Sequence, residues 1–392
     1  MSLSDKPFDI VVFGASGYTG RLVAEYLAAE YAGSDLKWAM AGRSLDKLAA
    51  VRAEMGISDA VELLAVDVDN PESVTQMVEA CRVVITTVGP YQLYGDELVK
   101  QCAERGTDYV DLTGEPSWMH ETIAQYSSAA KASGARIVHS CGFDSIPFDL
   151  GVYRRQQHGI AKTGQPSATG QGRGRGMNGT FSGGTIASMR ATMASAKANP
   201  SIIQVLTNPF ALTEGFTGPE QPAGMAPQYD EELQSWSAPF IMAPINTKNI
   251  HRSNFLLGHQ YGEDFRYDEM LLTGDGDQGK AAADYVAKDD SVAKSDLQPG
   301  EGPTKEEREN GNYDAIFAGE SSDGELMISS VQGDRDPGYG STSKMLAEAA
   351  MCLLVNPDLA SGGLWTPAAA MGDALMARLQ DHAGLTFQIE KG

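Results

Sequence analysis

Cysteine and histidine are scarce in this chain of 392 residues, which contains four of the first and six of the second. No two cysteines form a CxxC pair and no two histidines stand four residues apart. A zinc site needs clustered ligands of these types, so no metal site is predicted. Scattered cysteines are typical of proteins kept in a reducing compartment, which predicts a cytoplasmic location.

Long apolar runs are also absent. No uncharged apolar run reaches 18 residues, so no transmembrane segment is predicted, and the N-terminal apolar stretch is too short for a signal peptide. Acidic residues outnumber basic ones by 52 to 30, a net charge of −22, which argues against nucleic acid as a partner. The lack of a GxSxG motif, a P-loop lysine and a YxxxK pair disfavours hydrolases, kinases and short-chain reductases.

The first 145 residues alternate between strand and helix patterns. Apolar runs such as Phe8–Phe13 and Arg82–Val88 predict buried strands, and stripes of helical period such as that over residues 18–31 predict the intervening helices. This alternation builds a parallel sheet covered on both faces. The predicted fold class is therefore α/β, with a doubly wound parallel sheet and a second, α+β domain after Asp149.

The second half of the chain is less regular. Residues 207–250 hold six of the 18 prolines and are predicted to form long surface loops. The turn Asp323-Gly324 between two apolar runs predicts a β-hairpin. The apolar helix Ser343–Val355 and the C-terminal segment are predicted to return to the first sheet, because both of its faces need cover. The predicted domains are residues 1–148 plus about 343–392, and about 149–342.

A glycine-rich loop directly follows the first strand and opens the first helix. Its members are Gly14, Ala15, Ser16, Gly17, Tyr18, Thr19 and Gly20. Glycine at these spacings permits a tight turn, a close approach of backbone to a pyrophosphate, and close packing of helix on sheet. The helix N-terminus then offers free N–H groups to the phosphates. The loop predicts nucleotide binding; the alternative is a glycine turn that serves packing only.

Residues at the ends of the next strands refine this prediction. Arg43 and Ser44 follow the second strand, where NAD-binding proteins carry an acid, and a guanidinium beside a hydroxyl suits a 2′-phosphate. NADP(H) is therefore the predicted cofactor. Asp67 ends the third strand and is predicted either to border the adenine or to form a helix-capping turn. Gly89 and Pro90 follow the fourth strand and are predicted to line the cofactor cleft.

Eight motifs occur in a characteristic order along the chain: GASGYTG (14–20), AGRS (41–44), TTVGPYQLYG (86–95), DYVDLTGE (108–115), HSCGFDSIPFDLG (139–151), PGEGP (299–303), GDRDPGYGST (333–342) and GGLWTPAAAMGDAL (362–375). In these motifs the chain resembles the saccharopine-dehydrogenase-like oxidoreductases, and it is most similar to the actinobacterial trans-acting enoyl reductase branch. The resemblance implies a Rossmann-type domain that binds NADP(H) and a second α+β domain. It further implies reduction of enoyl groups on polyketide-derived lipids made by partner synthases.

Reduction by hydride transfer also needs a proton source. Tyr91 and Tyr94 follow the fourth strand at the cleft, and Tyr91 is a candidate donor; the alternative is that its ring packs over the cofactor. A second location contains Arg335, Asp336 and Tyr339 in a Gly/Pro loop at the domain junction, where clefts form. Its alternative is a solvated cluster of ion pairs.

The segment after the sixth strand is the third location. Cys141 and Gly142 are predicted to lie within reach of the nicotinamide, and Asp144 and Ser145 are candidate catalytic residues. The alternative for Asp144 is that it caps the following helix. Cys141 is more consistent with a small buried residue than with a nucleophile, because no nearby group would lower its pKa.

The charges are unevenly distributed. Residues 150–213 contain seven basic residues and no acid, whereas residues 263–336 contain 20 acidic and seven basic ones. The acidic stretch is predicted to be solvated surface. The basic stretch is predicted to attract an anionic carrier or CoA arm near the cleft. Four apolar side chains of that stretch are predicted to line an acyl channel, with ordinary helix core as the alternative: Phe181, Ile186, Met189 and Met193.

Two functions follow as hypotheses. The first is an NADPH-dependent reductase acting on a small-molecule or carrier-bound acyl substrate. The alternative is a protein without turnover that binds NADP(H) or serves as a lipid-associated scaffold. A third possibility, saccharopine dehydrogenation, is disfavoured because a dicarboxylate substrate calls for paired arginines in the cleft, and no such pair can be assigned. A homodimer is left open.

Overall fold

The structure, a computed structural model, describes residues 6–180, 182–298 and 300–392. Its N-terminal part alternates strand and helix as the sequence predicts. The strands are β1 (Phe8–Phe13), β2 (Trp38–Gly42), β3 (Glu62–Ala65), β4 (Cys81–Thr86), β5 (Asp108–Val110) and β6 (Arg136–Val138). The helices are α1 (Tyr18–Glu30), α2 (Leu45–Glu54), α3 (Pro71–Ala80), α4 (Tyr91–Tyr94), α5 (Asp96–Arg105) and α6 (Pro116–Ser133).

These six strands form a parallel sheet in the order β6-β5-β4-β1-β2-β3. Its central strands β1 and β4 are almost fully buried, because helices cover both faces. The chain runs outward from β1 to β3 and then returns to the other side of β1 as β4, so the strand order reverses between β1 and β4. Ligands of such sheets bind beyond the carboxyl ends of the strands at this point. The predicted doubly wound α/β fold is confirmed.

The middle of the chain builds a second domain around a mixed sheet. Its elements are α7 (Ile146–Thr163), β7 (Thr169–Asn178), α8 (Gly183–Ala198), α9 (Ser201–Thr207), β8 (Gln228–Asp230), β9 (Ser235–Pro239), α10 (Ala243–Leu256), β10 (Arg266–Gly274), α11 (Gly276–Val286), α12 (Ser291–Lys294), α13 (Lys305–Asn310), β11 (Asn312–Glu320) and β12 (Leu326–Gly333). Strands β11 and β12 are the predicted hairpin around Asp323-Gly324, paired in register from Tyr313 opposite Gly333 to Glu320 opposite Leu326.

The prediction of surface loops over 207–250 is wrong for part of that segment. It contains β8, β9 and most of α10, and α10 is buried along most of its length. The sequence pattern does not predict this helix, because its buried residues are largely polar and form no apolar stripe. They are tolerated because they have partners: Lys248 Nζ donates to the Leu206 carbonyl at 2.7 Å, and Asn249 Nδ2 donates to Ser145 Oγ.

The C-terminal part divides between the two sheets. Its elements are a π-helical turn (Pro337–Ser341), α14 (Thr342–Val355), β13 (Gly363–Trp365), α15 (Pro367–His382) and β14 (Leu385–Lys391). Helix α14 packs on α1 and β4, and β13 extends the first sheet beside β6. Strand β14 instead pairs with β12 in the second sheet. Assignment of all of residues 343–392 to the first domain is therefore wrong for β14, which covers the otherwise open edge of β12.

The second sheet has the order β14-β12-β11-β7-β10-β9-β8. Helix α7 connects it to the first sheet, and α8 lies beside the cleft between them with only Gly183 and Ile186 buried. Within the described ranges, no helix combines the length and the apolarity needed to cross a membrane.

Candidate active site

The glycine loop closes tightly on the start of α1. Gly14 has a φ of +89°, a conformation that favours glycine, and a Cβ on Gly20 would lie 2.2 Å from the Gly14 carbonyl oxygen. Gly17 precedes the helix and supplies no side-chain acceptor, so the N–H groups of the first turn stay free for another partner. The observed geometry is the cradle that a pyrophosphate requires.

The side chains of the loop have separate surroundings. Ala15 is fully buried, and Ser16 lies beside Gly42 at the end of β2. Thr19 faces the cleft between the domains. The Tyr18 hydroxyl donates to the Pro303 carbonyl and accepts from Arg308 of the second domain, so this side chain joins the loop to the other domain.

Arg43 and Ser44 lie where β2 ends, at the same edge of the sheet. Arg43 is exposed and forms no ion pair within the described part of the chain. The Ser44 hydroxyl accepts from the Lys47 N–H at 3.3 Å and caps α2. An unpaired guanidinium beside the glycine loop fits the 2′-phosphate of NADP(H).

Asp67 follows β3 and closes a local turn. Its carboxylate accepts from the Asp69 N–H at 3.1 Å, whereas Asn70 caps α3. This observation favours the turn alternative, and contact with an adenine stays a prediction.

The segment after β4 packs directly on the glycine loop, since a Cβ on Gly14 would lie 2.7 Å from Thr87 Oγ1. Gly89 lines the cleft, and Pro90 precedes α4. Sequence reasoning missed the group that holds this segment, Glu115, whose carboxylate accepts from the N–H groups of Tyr91 and Gln92, both at 2.9 Å. A buried acid is stable there because it faces a helix N-terminus. Its only signal was its place at the end of the DYVDLTGE motif.

Tyr91 is 4% exposed, and its hydroxyl donates to the Thr86 carbonyl at 3.1 Å. Its ring stacks on Trp118 with centroids 5.4 Å apart. Burial raises the pKa of the Tyr91 phenol well above its usual range. The ring therefore packs within the protein, which gives the predicted catalytic role no support, and contact of the ring with the cofactor stays a prediction.

Two adjoining cavities occupy the cleft between the domains. The first, of about 400 Å³, is bounded by Thr19, Thr87 and Gly89 on one side and by α8 on the other. The second, of about 290 Å³, lies between Gly142 and the second sheet. The two cavities share six lining residues: Leu112, Asp144, Thr185, Ile241, Met242 and Tyr339.

Asp144 stands at the junction of these cavities. Its carboxyl is half-buried, and no described residue forms a hydrogen bond with it. Burial raises the pKa of this carboxyl to about 6. Helix α7 begins at Ile146 without a side-chain cap, so the alternative of a helix cap does not apply to Asp144.

The neighbours of Asp144 are less accessible. Ser145 is 1% exposed, and its hydroxyl donates to the Asp144 carbonyl and accepts from Asn249 at 2.5 Å. It lines neither cavity, so the geometry gives its predicted catalytic role no support. Cys141 is fully buried, and burial raises the pKa of its thiol well above the usual range. Gly142 alone of the pair Cys141-Gly142 reaches the second cavity.

Only one residue of the Arg335, Asp336 and Tyr339 group lies in the cleft. Arg335 pairs with Asp334 at 3.5 Å, and the Asp336 carboxylate accepts the N–H groups of Tyr339 and Gly340. The Tyr339 hydroxyl accepts from the Ser182 N–H at 2.5 Å and lies 2.8 Å from Thr185 Oγ1. Tyr339 is buried and lines both cavities, and its hydroxyl lies beside Thr185, which lines both as well.

Acids of the second domain neutralise part of the predicted basic patch, whereas Arg190 and Lys197 are exposed on α8 beside the cleft, so attraction of an anionic arm stays a prediction. Arg173 is buried against Asp268 at 3.1 Å, and Arg175 pairs with Asp314 and Glu390. These contacts also show that the acidic stretch is more than solvated surface. In the predicted acyl channel, Met189 and Met193 line the first cavity, Ile186 is buried, and Phe181 lies outside the described residues.

Comparison with known proteins agrees with this geometry. Residues 10–138 match the family model of the saccharopine dehydrogenase NADP-binding domain. The chain is 39% identical to a candidate trans-acting enoyl reductase of Mycobacterium tuberculosis over 99% of both chains. It is 34% identical to the trans-acting enoyl reductase of Mycobacterium bovis over 97% of both chains.

A solved structure has the same overall fold. Apo saccharopine dehydrogenase (L-Glu forming) from Saccharomyces cerevisiae aligns with a TM-score of 0.55 and 12% identity over 97% of this chain and 99% of that one. Because its relatives match it over nearly the whole length, the chain belongs to the trans-acting enoyl reductase family and is an NADP(H)-dependent oxidoreductase with a saccharopine-dehydrogenase-like fold.

Proposed function

We propose that this protein reduces the carbon–carbon double bond of an enoyl thioester whose acyl group is carried by CoA or by a carrier arm. The names of its relatives suggest the reaction. The observation that carries the proposal is Asp144, a carboxyl in the cleft that forms no hydrogen bond with any described residue and has a pKa raised to about 6.

Bound NADPH supplies the hydride, which adds to the β-carbon of the substrate. The electron pair of the double bond then moves to the thioester oxygen and forms an enolate. Asp144 gives its proton to the α-carbon as the enolate collapses, and is left as a carboxylate that takes a proton from solvent. The raised pKa suits this task because a useful fraction of the group stays protonated near neutral pH.

Tyr339 is placed to stabilise the enolate oxygen. Its hydroxyl already accepts from the Ser182 N–H, so it can donate its own proton either to Thr185 or into the cavity. A preorganised donor directed at developing negative charge lowers the barrier, by about 3 kcal/mol for one such donor. Tyr339→Phe should therefore lower kcat more than it raises KM.

The residues that line the cleft are suited to a substrate whose reacting group is uncharged. Among the described residues that bound the two cavities, none is arginine or lysine. A dicarboxylate such as saccharopine would enter such a site without a cationic partner, which is unfavourable.

The test is to incubate the protein with NADPH and a panel of enoyl-CoA and enoyl-pantetheine substrates and to measure loss of nicotinamide absorbance. We expect turnover on at least one enoyl substrate and none on saccharopine with NADP+. If NADPH binds and no enoyl substrate is reduced, the alternative of an NADP(H)-binding or lipid-associated scaffold replaces the proposal.

A further inference from the structure

The second cavity adjoins the first at Asp144 and extends away from the glycine loop. The first borders the glycine loop and carries hydroxyl groups, among them Thr19, Thr87 and Ser188. The second lies on the far side of Asp144 and is walled mainly by Phe143, Met177, Phe240, Leu271 and Val286. Phe143 precedes α7, and Phe240 directly follows β9. The other three belong to β7, β10 and the end of α11.

We propose that this second cavity, here called the tail chamber, binds the part of an acyl chain that lies beyond the double bond. This inference rests on the proposed function. When the double bond lies beside Asp144, the thioester end and the distal end of the chain must leave it in opposite directions. The first cavity offers hydroxyl groups to a thioester and its arm, and the tail chamber, where apolar residues predominate in the lining, receives the other end.

The volume of the tail chamber sets the length of chain that it can hold. A cavity of about 290 Å³ holds a limited number of methylene groups, so affinity should rise with chain length and then level off. Asp289 lines the tail chamber but not the first cavity and is exposed, so a longer chain can continue into solvent at that end. The Asp289 carboxylate at that end disfavours a tail that ends in a carboxylate.

Binding of saturated acyl-CoA thioesters of four to sixteen carbons to the NADPH-loaded protein tests the proposal by calorimetry, because a saturated chain needs no turnover. Each added methylene should tighten binding about two- to fourfold until the chamber is filled, after which affinity should level off. A dissociation constant that does not change with chain length would overturn the proposal.

Val286→Trp gives the matching mutational test, since position 286 lies at the end of α11 and is only half-buried. It should weaken binding of the twelve-carbon thioester at least tenfold and change the four-carbon one less than twofold. Ala282→Trp, exposed on the same helix, is the control and should change neither. If the Trp variant does not fold, Val286→Phe gives the same test with a smaller side chain in the chamber. Equal effects of Val286→Trp on all lengths would refute the tail chamber.

The proposed function and the tail chamber can fail separately. If binding depends on chain length but the corresponding enoyl thioesters are not reduced, the result supports the tail chamber and contradicts the proposed reaction. If the thioesters are reduced but binding does not depend on chain length, the result supports the reaction and contradicts the tail chamber.

Discussion

Asp144 is the side chain on which the proposed chemistry depends most directly. Asp144→Asn keeps its shape and removes its acidity, so kcat should fall about 10²- to 10⁴-fold. NADPH affinity should not change, because the nucleotide cradle lies on the glycine loop. Steady-state kinetics and nucleotide titration of the same preparation check both outcomes. Loss of kcat together with equal loss of NADPH affinity would contradict the role of a proton donor.

The same carboxyl predicts a pH dependence. Its pKa is raised to about 6, so the acid form is present below that pH and is lost as the pH rises. Where proton transfer limits the rate, kcat should be highest below about pH 6 and fall up to tenfold per unit above it. The residual activity of Asp144→Asn should be flat over the same range. A wild-type kcat that rises from pH 6 to pH 8 would exclude Asp144 as the acid.

Arg43 is predicted to determine which of the two nicotinamide cofactors binds more tightly. An exposed guanidinium without an ion-pair partner can bind a 2′-phosphate, and a charge-assisted hydrogen bond is worth about 1.5–3 kcal/mol. Arg43→Ala should therefore weaken NADPH binding at least about tenfold and leave NADH binding nearly unchanged. Thermal shifts with each nucleotide measure this, with the exposed Lys47→Ala as control. Equal shifts from NADPH and NADH in the unmutated protein would overturn the assignment.

Two strand-to-helix loops of the molecule have glycines in a similar geometry. One is the loop before α1; the other, Gly274 to Gly279, joins β10 to α11. A Cβ on Gly20 would lie 2.2 Å from the Gly14 oxygen, and a Cβ on Gly279 would lie 2.0 Å from the Gly274 oxygen. In the second loop the Asp275 carboxylate accepts the Gly276 N–H, so an acid already occupies the anion position.

The pair of loops gives a matched test. Gly20→Ala and Gly279→Ala should each destabilise the fold by about 1–3 kcal/mol, because backbone must move to admit the methyl group. Only Gly20→Ala should also reduce the stabilisation by NADPH. Chemical denaturation with and without the nucleotide separates the two effects. If both substitutions reduced the stabilisation by NADPH to the same extent, the glycine loop would not be the cofactor site.

The elements that the sequence predicts well are those with a strong period. Strands β1 to β6 and their helices follow from apolar runs and stripes, and the hairpin from its turn. Helix α10 was missed because its polar side chains are buried with partners from distant segments, such as the Leu206 carbonyl for Lys248. The structural roles of Glu115 and Tyr91 could not be predicted from the sequence, because each depends on a contact that forms only in the folded chain.

At the scale of the whole molecule, the two domains meet through side chains that cross the cleft. Gln92 of α4 donates to Glu115 at 3.0 Å and to Thr192 of α8 at 3.1 Å, and it accepts from Ser195 at 2.7 Å. Few residues of α8 are buried, so these bonds contribute much of what holds it over the first cavity.

Gln92→Ala should therefore loosen α8 without unfolding either domain. Arg190 and Lys197 are exposed on α8 and are sites for trypsin, so limited proteolysis there should become faster. Mass spectrometry of the fragments locates the cuts, and the exposed Leu93→Ala on α4 is the control. Unchanged cleavage at both sites would show that Gln92 does not hold the helix.

In the proposed reaction, hydride from NADPH reaches the β-carbon of an enoyl thioester while a solvent-derived proton reaches the α-carbon. The most direct measurement is reduction of an enoyl-CoA with NADPH deuterated at the transferred position, followed by NMR of the product. We expect one deuterium at the β-carbon and none at the α-carbon. With unlabelled NADPH in D₂O, we expect one deuterium at the α-carbon and none at the β-carbon. Deuterium from the nicotinamide at any other carbon, or no reduced product with NADPH bound, would contradict the proposed reaction.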